Sequence, residues 1–254
     1  MKIGFYNIQG GTGKTTIAAN MAYYLSERIK TIYVDCDVYG GNSALLFNLE
    51  ADPNTLNAYL DGKCSIEDII HEYDNLSVVV CDTTPNAFDT DFNMERFLYF
   101  DNFVSKKYEV VIFDLPPNIT EGNILFSGDI KFYKMMVVAE DSVPGILGAL
   151  KTMELLNALN IGVMCTIVNK DRGIVDFEDI LDENIEILPY DESIEMQWSE
   201  GEPIIKKKSN FGKELSYLTD DLLETYLEKD LATERALGIA KEFKESILGS
   251  EDGD

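Results

Sequence analysis

The sequence predicts an α/β domain: a mostly parallel β-sheet with helices on both faces. Three observations carry this. Short apolar, β-rich runs alternate with segments of helical period, a glycine-rich turn joins the first such run to a helix, and two later runs end in aspartate.

The apolar runs fall at 3–6, 31–34, 76–80, 110–113, 135–139, 163–168 and 185–188, with helix-period segments at 15–28, 92–104 and 145–159 between them. Strands that are apolar almost throughout are covered on both faces, as in parallel sheets, and ligands of such sheets bind at the carboxyl ends of the strands. From Phe211 onward the pattern is helical, with Phe211, Leu215, Leu218, Leu222 and Tyr226 followed later by Ile239, Phe243 and Ile247. The expectation is a single domain over 1–254 with a C-terminal helical extension at about 211–248, packed on the sheet.

Composition narrows the function classes. A chain of 254 residues with 45% hydrophobic content can bury a full core, and it has no repeat or low-complexity linker. There is no 18-residue apolar run, and a strand begins directly after Met1 and Lys2, so neither a signal peptide nor a spanning helix is expected. In the extension Lys241 and Lys244 are offset by Glu242 and Glu245 and the end is acidic, so stable membrane anchoring is not expected. The expected location is the cytoplasm, with recruitment to a polar or membrane-associated complex as an option. A net charge of −25 opposes specific nucleic acid binding, and the one basic cluster, Lys206 to Lys208, reads as a solvated loop. Cys36, Cys64, Cys81 and Cys165 are scattered and His71 is the sole histidine, which disfavours a zinc or iron–sulfur site within one chain. Cys36 and Cys165 read as core residues and Cys81 as core or strand end.

The chemistry is concentrated in Gln9-Gly10-Gly11-Thr12-Gly13-Lys14-Thr15-Thr16, between the first strand and the first helix. Glycines at 10, 11 and 13 let backbone N–H groups turn toward phosphates, and the helix start adds donors and the positive end of its dipole. Lys14 is placed to reach the β and γ phosphates and the Thr15 hydroxyl to hold Mg²⁺. The strict pattern has glycine where this chain has Ile8, but only a phosphate loop needs Lys14, Thr15 and Thr16 together at a helix entrance. The fold class is thus a single-domain P-loop NTPase. Asp35 and Asp37, with Asn42 beyond them, and Asp114, before Leu115-Pro116-Pro117, end two more strands. Aspartates at neighbouring strand ends would converge on the crevice where a bound Mg²⁺ offsets their repulsion.

Together with Ile167-Val168-Asn169-Lys170, Leu188-Pro189-Tyr190-Asp191 and Gly201-Glu202-Pro203, these motifs resemble the MinD/ParA family of deviant Walker A ATPases over about residues 2–205. The text from Asn42 to Leu49 and from Thr55 to Leu60 resembles the MinD branch and its pilus-assembly and flagellar-positioning relatives. The resemblance implies an ATP-bound, face-to-face homodimer that hydrolyses slowly and separates, with a protein partner or cargo adaptor. It implies that Asp37 positions or activates water, that Asp35 and Asp114 hold Mg²⁺ through its waters, and that Asn42 lies in the first switch. Asn169 would read the adenine edge under a loop of Pro189, Tyr190 and Asp191. One departure stands out: the family's signature lysine, which reaches the partner's phosphates, is Gln9 here, an amide without charge. Lys151 is a candidate substitute.

These readings give an ATP-binding dimerisation switch with weak or partner-stimulated hydrolysis that positions or assembles a cellular machine. The alternatives are a hydrolysis-deficient scaffold and a metal-centre maturation ATPase. The intact Asp37 favours the switch, Gln9 favours the scaffold, and the dispersed cysteines argue against the third.

Overall fold

The structure is a computed structural model and describes residues 1–117, 119, 134–177, 179–181 and 184–227. The chain divides into two compact units, 1–216 and 217–254. The first holds an eight-stranded sheet in the order β3-β4-β2-β5-β1-β6-β7-β8. Its strands are β1 (Lys2–Tyr6), β2 (Thr31–Asp35), β3 (His71–Tyr73), β4 (Leu76–Val79), β5 (Val110–Asp114), β6 (Lys134–Glu140), β7 (Val163–Asp171) and β8 (Ile185–Pro189). The helices are α1 (Lys14–Ser26), α2 (Leu56–Leu60), α3 (Met94–Lys107), α4 (Val143–Ala158), α5 (Ile194–Glu200) and α6 (Asn210–Leu222). All the strand pairs are parallel except β3 with β4.

The seven expected strands are present, and β3 is the one not anticipated. Its three residues, His71, Glu72 and Tyr73, carry no apolar alternation, and they pair because the turn at Asp74 folds them back on β4. The central strands β2 and β5 are buried at every position, which is why they read as unbroken apolar runs.

From β1 the chain first steps toward β2 and later returns through β5 to β6 and β7. With right-handed crossovers these opposite directions place α1 on one face and α3 and α4 on the other. The alternating side chains agree with this arrangement. Ile32, Val34, Val111 and Phe113 join Phe97, Phe100, Ile146 and Ala149 in one core cluster, while Tyr33, between the first two, meets the Phe47 ring at 5.7 Å. Helix ends follow local chemistry. Asn93 accepts from Arg96 N to cap α3, with Glu95 in its first turn and Lys106 and Lys107 in its last. Ser142 accepts from Gly145 N to cap α4.

Lys206 corrects the reading of the basic cluster as a solvated loop. Its ammonium pairs with Asp74 and Glu202, both at 3.0 Å, and lies over the rings of Tyr23 and Tyr73. Lys207 pairs with Glu200. Of the second unit the described residues are 217–227, the end of α6 and a π-helical turn at Leu223–Leu227. The rest of the predicted extension, including Ile239, Phe243 and Ile247, lies outside the described residues. No helix among the described residues is long and apolar enough to cross a membrane.

Candidate functional site

The sheet order sets the carboxyl ends of β2, β5, β1, β6 and β7 side by side, and Asp35 and Asp114 are register partners at the first two. The loop after β1 is pinned from behind by Asn7, which is completely buried. Its Nδ2 donates to the Val138 carbonyl at 2.8 Å, and its Oδ1 accepts from Gln9 N at 2.8 Å and from the Thr152 hydroxyl at 3.3 Å. Gly11 and Gly13 take φ of 79° and 98°, where a side chain is strained. A Cβ on Gly13 would also collide with the Asn169 amide, whose Nδ2 donates to the Thr12 carbonyl at 2.9 Å. No side chain caps α1 after Gly13, so its first N–H groups have no intrahelical partner and suit an anion.

Lys14 is buried at the start of α1, 3.4 Å from the Gln9 carbonyl. Burial lowers its pKa, while the charges of Asp114 and Asp37 hold it up. Asp35 accepts from Asp37 N at 2.9 Å and from the Ser43 hydroxyl at 2.6 Å. Gly41 leaves room for this arrangement, since a Cβ there would sit 2.6 Å from the Asp35 carboxylate. Asp114 accepts from the Tyr33 hydroxyl at 3.0 Å through Oδ2, while its Oδ1 is buried with no hydrogen-bond partner. Burial raises both carboxyls, and the nearby Asp114 charge raises Asp35 further; the Thr15 hydroxyl and the Lys14 ammonium pull Asp114 back down. Asp37 is raised by burial against the opposing pull of Gly40 N–H, which donates to its Oδ1 at 3.0 Å, and of Lys14.

These groups surround a cavity of about 350 Å³. Gly10, Gly11, Gly13, Lys14, Thr15 and Thr16 form one part of its wall, and Asp37, Asn42, Asp114 and Asn169 another. Asp35 is not in the lining and lies behind it, holding the Asp37 backbone N–H and the Ser43 hydroxyl; Thr12 is likewise buried and outside the lining. The loop of Pro189, Tyr190 and Asp191 does not line the cavity either. Tyr190 lies 3.7 Å from the Arg172 guanidinium, and Asp191 is engaged by the Ser193 hydroxyl and by Phe211 N. The helix that follows it does line the cavity, through Ile194, Glu195 and Trp198, which sequence reasoning missed.

The donor set suits a divalent cation. Asp114 has an orphaned buried oxygen, and the Thr15 hydroxyl and Asp35 stand near it. Among the described residues no three His, Cys, Asp or Glu side chains gather into a direct cage. A metal that keeps most of its waters, as Mg²⁺ does, fits such a sparse site. Cys81 is buried behind the pair, its Sγ 3.3 Å from the Asp35 carbonyl, and Cys36 and Cys165 are buried as expected.

Gln9 does not point away from the loop. Its Oε1 is buried and unpartnered against α4, where a Cβ on Gly148 would sit 2.8 Å from it. Lys151, one turn further along α4, is exposed. Besides Lys14, Lys170 touches the loop: it donates to the Gly11 carbonyl at 3.0 Å and to Glu140 at 3.1 Å from a backbone at φ 60°.

A glycine loop leading from a central parallel strand into an uncapped helix, with a buried lysine beside an acid pair, defines a P-loop nucleotide-binding domain. A family model described as an AAA domain matches residues 1–159. The chain is 49% identical over 248 residues to an uncharacterized ATP-binding protein of Methanocaldococcus jannaschii, covering 96% of this chain and 94% of that one. Among solved structures it is similar to the septum site-determining protein MinD of Pyrococcus horikoshii complexed with Mg-ADP. There the TM-score is 0.77 at 20% identity, over 87% of this chain and 95% of that one. A ParA family ATPase of Chlorobium tepidum gives 0.74 at 18% identity, over 86% and 98%. The chain belongs to the MinD/ParA family of P-loop ATPases.

Proposed function

We propose that the protein is an ATP-binding switch whose Mg-ATP form pairs as a homodimer, hydrolyses slowly or on stimulation by a partner protein, and positions or assembles a cellular machine. Asp114 Oδ1 is buried and unpartnered, and Asp114, Lys14 and the uncapped start of α1 line one cavity. Those features suit an anion and a divalent cation bound together. The phosphates of ATP would lie against the loop N–H groups and Lys14, and Thr15, Asp35 and Asp114 are the residues that would hold Mg²⁺, the aspartates through its waters. When bound, the metal neutralises charge on the phosphates. Asp37, held in place by Gly40 N–H and by its own N–H on Asp35, orients the attacking water and takes up its proton. Asn42 lies at the start of the first switch and Asn169 faces the base. The Mg-ADP named for the MinD of Pyrococcus horikoshii supports this ligand. The switch acts in the cytoplasm, recruited by its partner to a polar or membrane-associated complex. Titration calorimetry tests the site: wild type binds Mg-ATP in preference to Mg-GTP, and Lys14→Ala loses binding altogether. Unchanged affinity in that variant would overturn the assignment.

Gln9 favours instead a scaffold that binds nucleotide without turning it over. Gln9 carries no charge and is packed against Gly148, so nothing at that position reaches across a dimer. Gln9→Lys raises the ATP-dependent dimer fraction in sedimentation if the missing charge is what limits pairing. If Lys151 or Lys170 already supplies it, Gln9→Lys changes little and alanine at that lysine lowers the fraction.

A further inference from the structure

Helix α5 contributes Ile194, Glu195 and Trp198 to the cavity wall. Ile194 and Trp198 are four residues apart, so they lie one above the other on one stripe of the helix. Gln197, on a neighbouring stripe, is completely buried. Its Nε2 donates to the Thr16 hydroxyl at 3.3 Å and its Oε1 accepts from Asn20 Nδ2 at 2.9 Å, while Asn20 Oδ1 accepts from Ile205 N at 2.9 Å. Rotating α5 would strand buried amide groups at both ends of this network, which is costly away from water. The network therefore fixes the helix against the loop that binds phosphate and sets its Ile194 and Trp198 stripe toward the cavity in advance.

The two parts of the wall differ in chemistry. The loop, Lys14 and the aspartates offer N–H donors and charge, whereas α5 offers a branched alkyl group and an indole that is only partly buried. Phosphates have no use for an indole. A purine does, because every base presents a flat face that stacks on an aromatic ring. We propose that Trp198 is the platform on which the base of the bound nucleotide stacks, with Ile194 beside it. This rests on the reading of the cavity as a nucleotide site and adds the residue that grips the nucleoside.

Trp198 is the single tryptophan of the chain, so the protein's indole emission reports on this position alone. The full chain is titrated with Mg-ADP and, separately, with Mg-tripolyphosphate, which has the phosphates and no base, while calorimetry measures binding independently. Mg-ADP changes the emission in step with the heat, and Mg-tripolyphosphate binds without changing it. Trp198→Ala weakens Mg-ADP about tenfold, the effect of losing one base–aromatic stack, and leaves Mg-tripolyphosphate unaffected; Trp198→Phe keeps a ring and loses less than threefold. Equal Mg-ADP affinity in wild type and Trp198→Ala overturns the proposal while leaving the nucleotide site intact, as does an emission change that Mg-tripolyphosphate reproduces in full. Absence of heat from both ligands in wild type overturns the nucleotide reading and this one with it.

Discussion

Asp114 and Asp141 are both buried at the carboxyl ends of β5 and β6, the two strands that flank β1, and they are held in opposite ways. Asp141, just after β6, is surrounded by donors: Oδ2 accepts from the backbone N–H groups of Arg172 and Ile174 at 2.8 and 2.9 Å, and Oδ1 from Val175 at 3.0 Å. Burial would raise its pKa, but the three amides and the Arg172 charge win and lower it. Asp114, at the end of β5, has Tyr33 on one oxygen and no hydrogen-bond partner on the other, and its pKa is raised. Both side chains are shielded from solvent, but Asp114 lies far deeper and is the more strongly desolvated, so low exposure by itself does not mark a site. An unmet oxygen in a cavity wall separates them: Asp141 is part of the scaffold that shapes the segment after β7, whereas Asp114 lines the cavity with one oxygen left unpartnered, unlike the unpartnered Asp101 Oδ1 and Tyr108 hydroxyl, which lie outside it.

Asp37 lies between these extremes, anchored by a backbone amide and still facing the cavity. Replacing it separates chemistry from binding. Asp37→Ala lowers steady-state phosphate release at least a hundredfold, keeps Mg-ATP affinity within about threefold, and prolongs the dimer. If wild type releases no phosphate even with its partner, Asp37 loses this role and the scaffold reading stands.

The same substitution in the two aspartates should have opposite effects. Asp114→Asn removes a buried charge, so the nucleotide-free protein melts higher by an amount equivalent to about 1 kcal/mol, while Mg-ATP binding weakens about tenfold. Asp141→Asn leaves a buried N–H unmet and melts lower, by about 1–3 kcal/mol, with Mg-ATP affinity unchanged. Shifts of the same sign in the two variants would show that the distinction has no energetic content.

The smallest effect is in pH. The folded pKa of Asp141 lies below its unfolded value, so its contribution is fully present above the unfolded carboxylate pKa of about 4 and is lost as pH falls through the folded value. The melting-temperature gap between wild type and Asp141→Asn therefore narrows as pH drops below about 4. A gap that stays constant down to pH 2.5 would mean that the amides do not depend on the carboxylate charge.

The loop and the acid pair were legible in the sequence because each is local: glycines needed for φ of 79° and 98° stand next to Lys14, and each aspartate ends its own apolar run. The wall built by α5 was not. What brings Trp198 to the loop is a buried amide contact between Gln197 and Thr16, residues 181 apart, and nothing local to either announces it. The loop of Pro189, Tyr190 and Asp191 immediately precedes the α5 residues that line the cavity, while its own Tyr190 and Asp191 are engaged by the Arg172 guanidinium and by Phe211 N. Gln9 was visible as a departure, yet its inward packing depends on Gly148, which only the fold places beside it.

Helix α1, whose opening turn follows a left-handed glycine and receives no side-chain cap, lacks the roughly 1 kcal/mol that a capping residue would give. A nucleotide bound as proposed would serve as the missing cap, and would then support folding as well as switching. At a concentration a hundred times its dissociation constant, a ligand that binds only the native state adds about 2.7 kcal/mol to stability. Cellular energy status would then set how much of this protein survives proteolysis, before any partner is met.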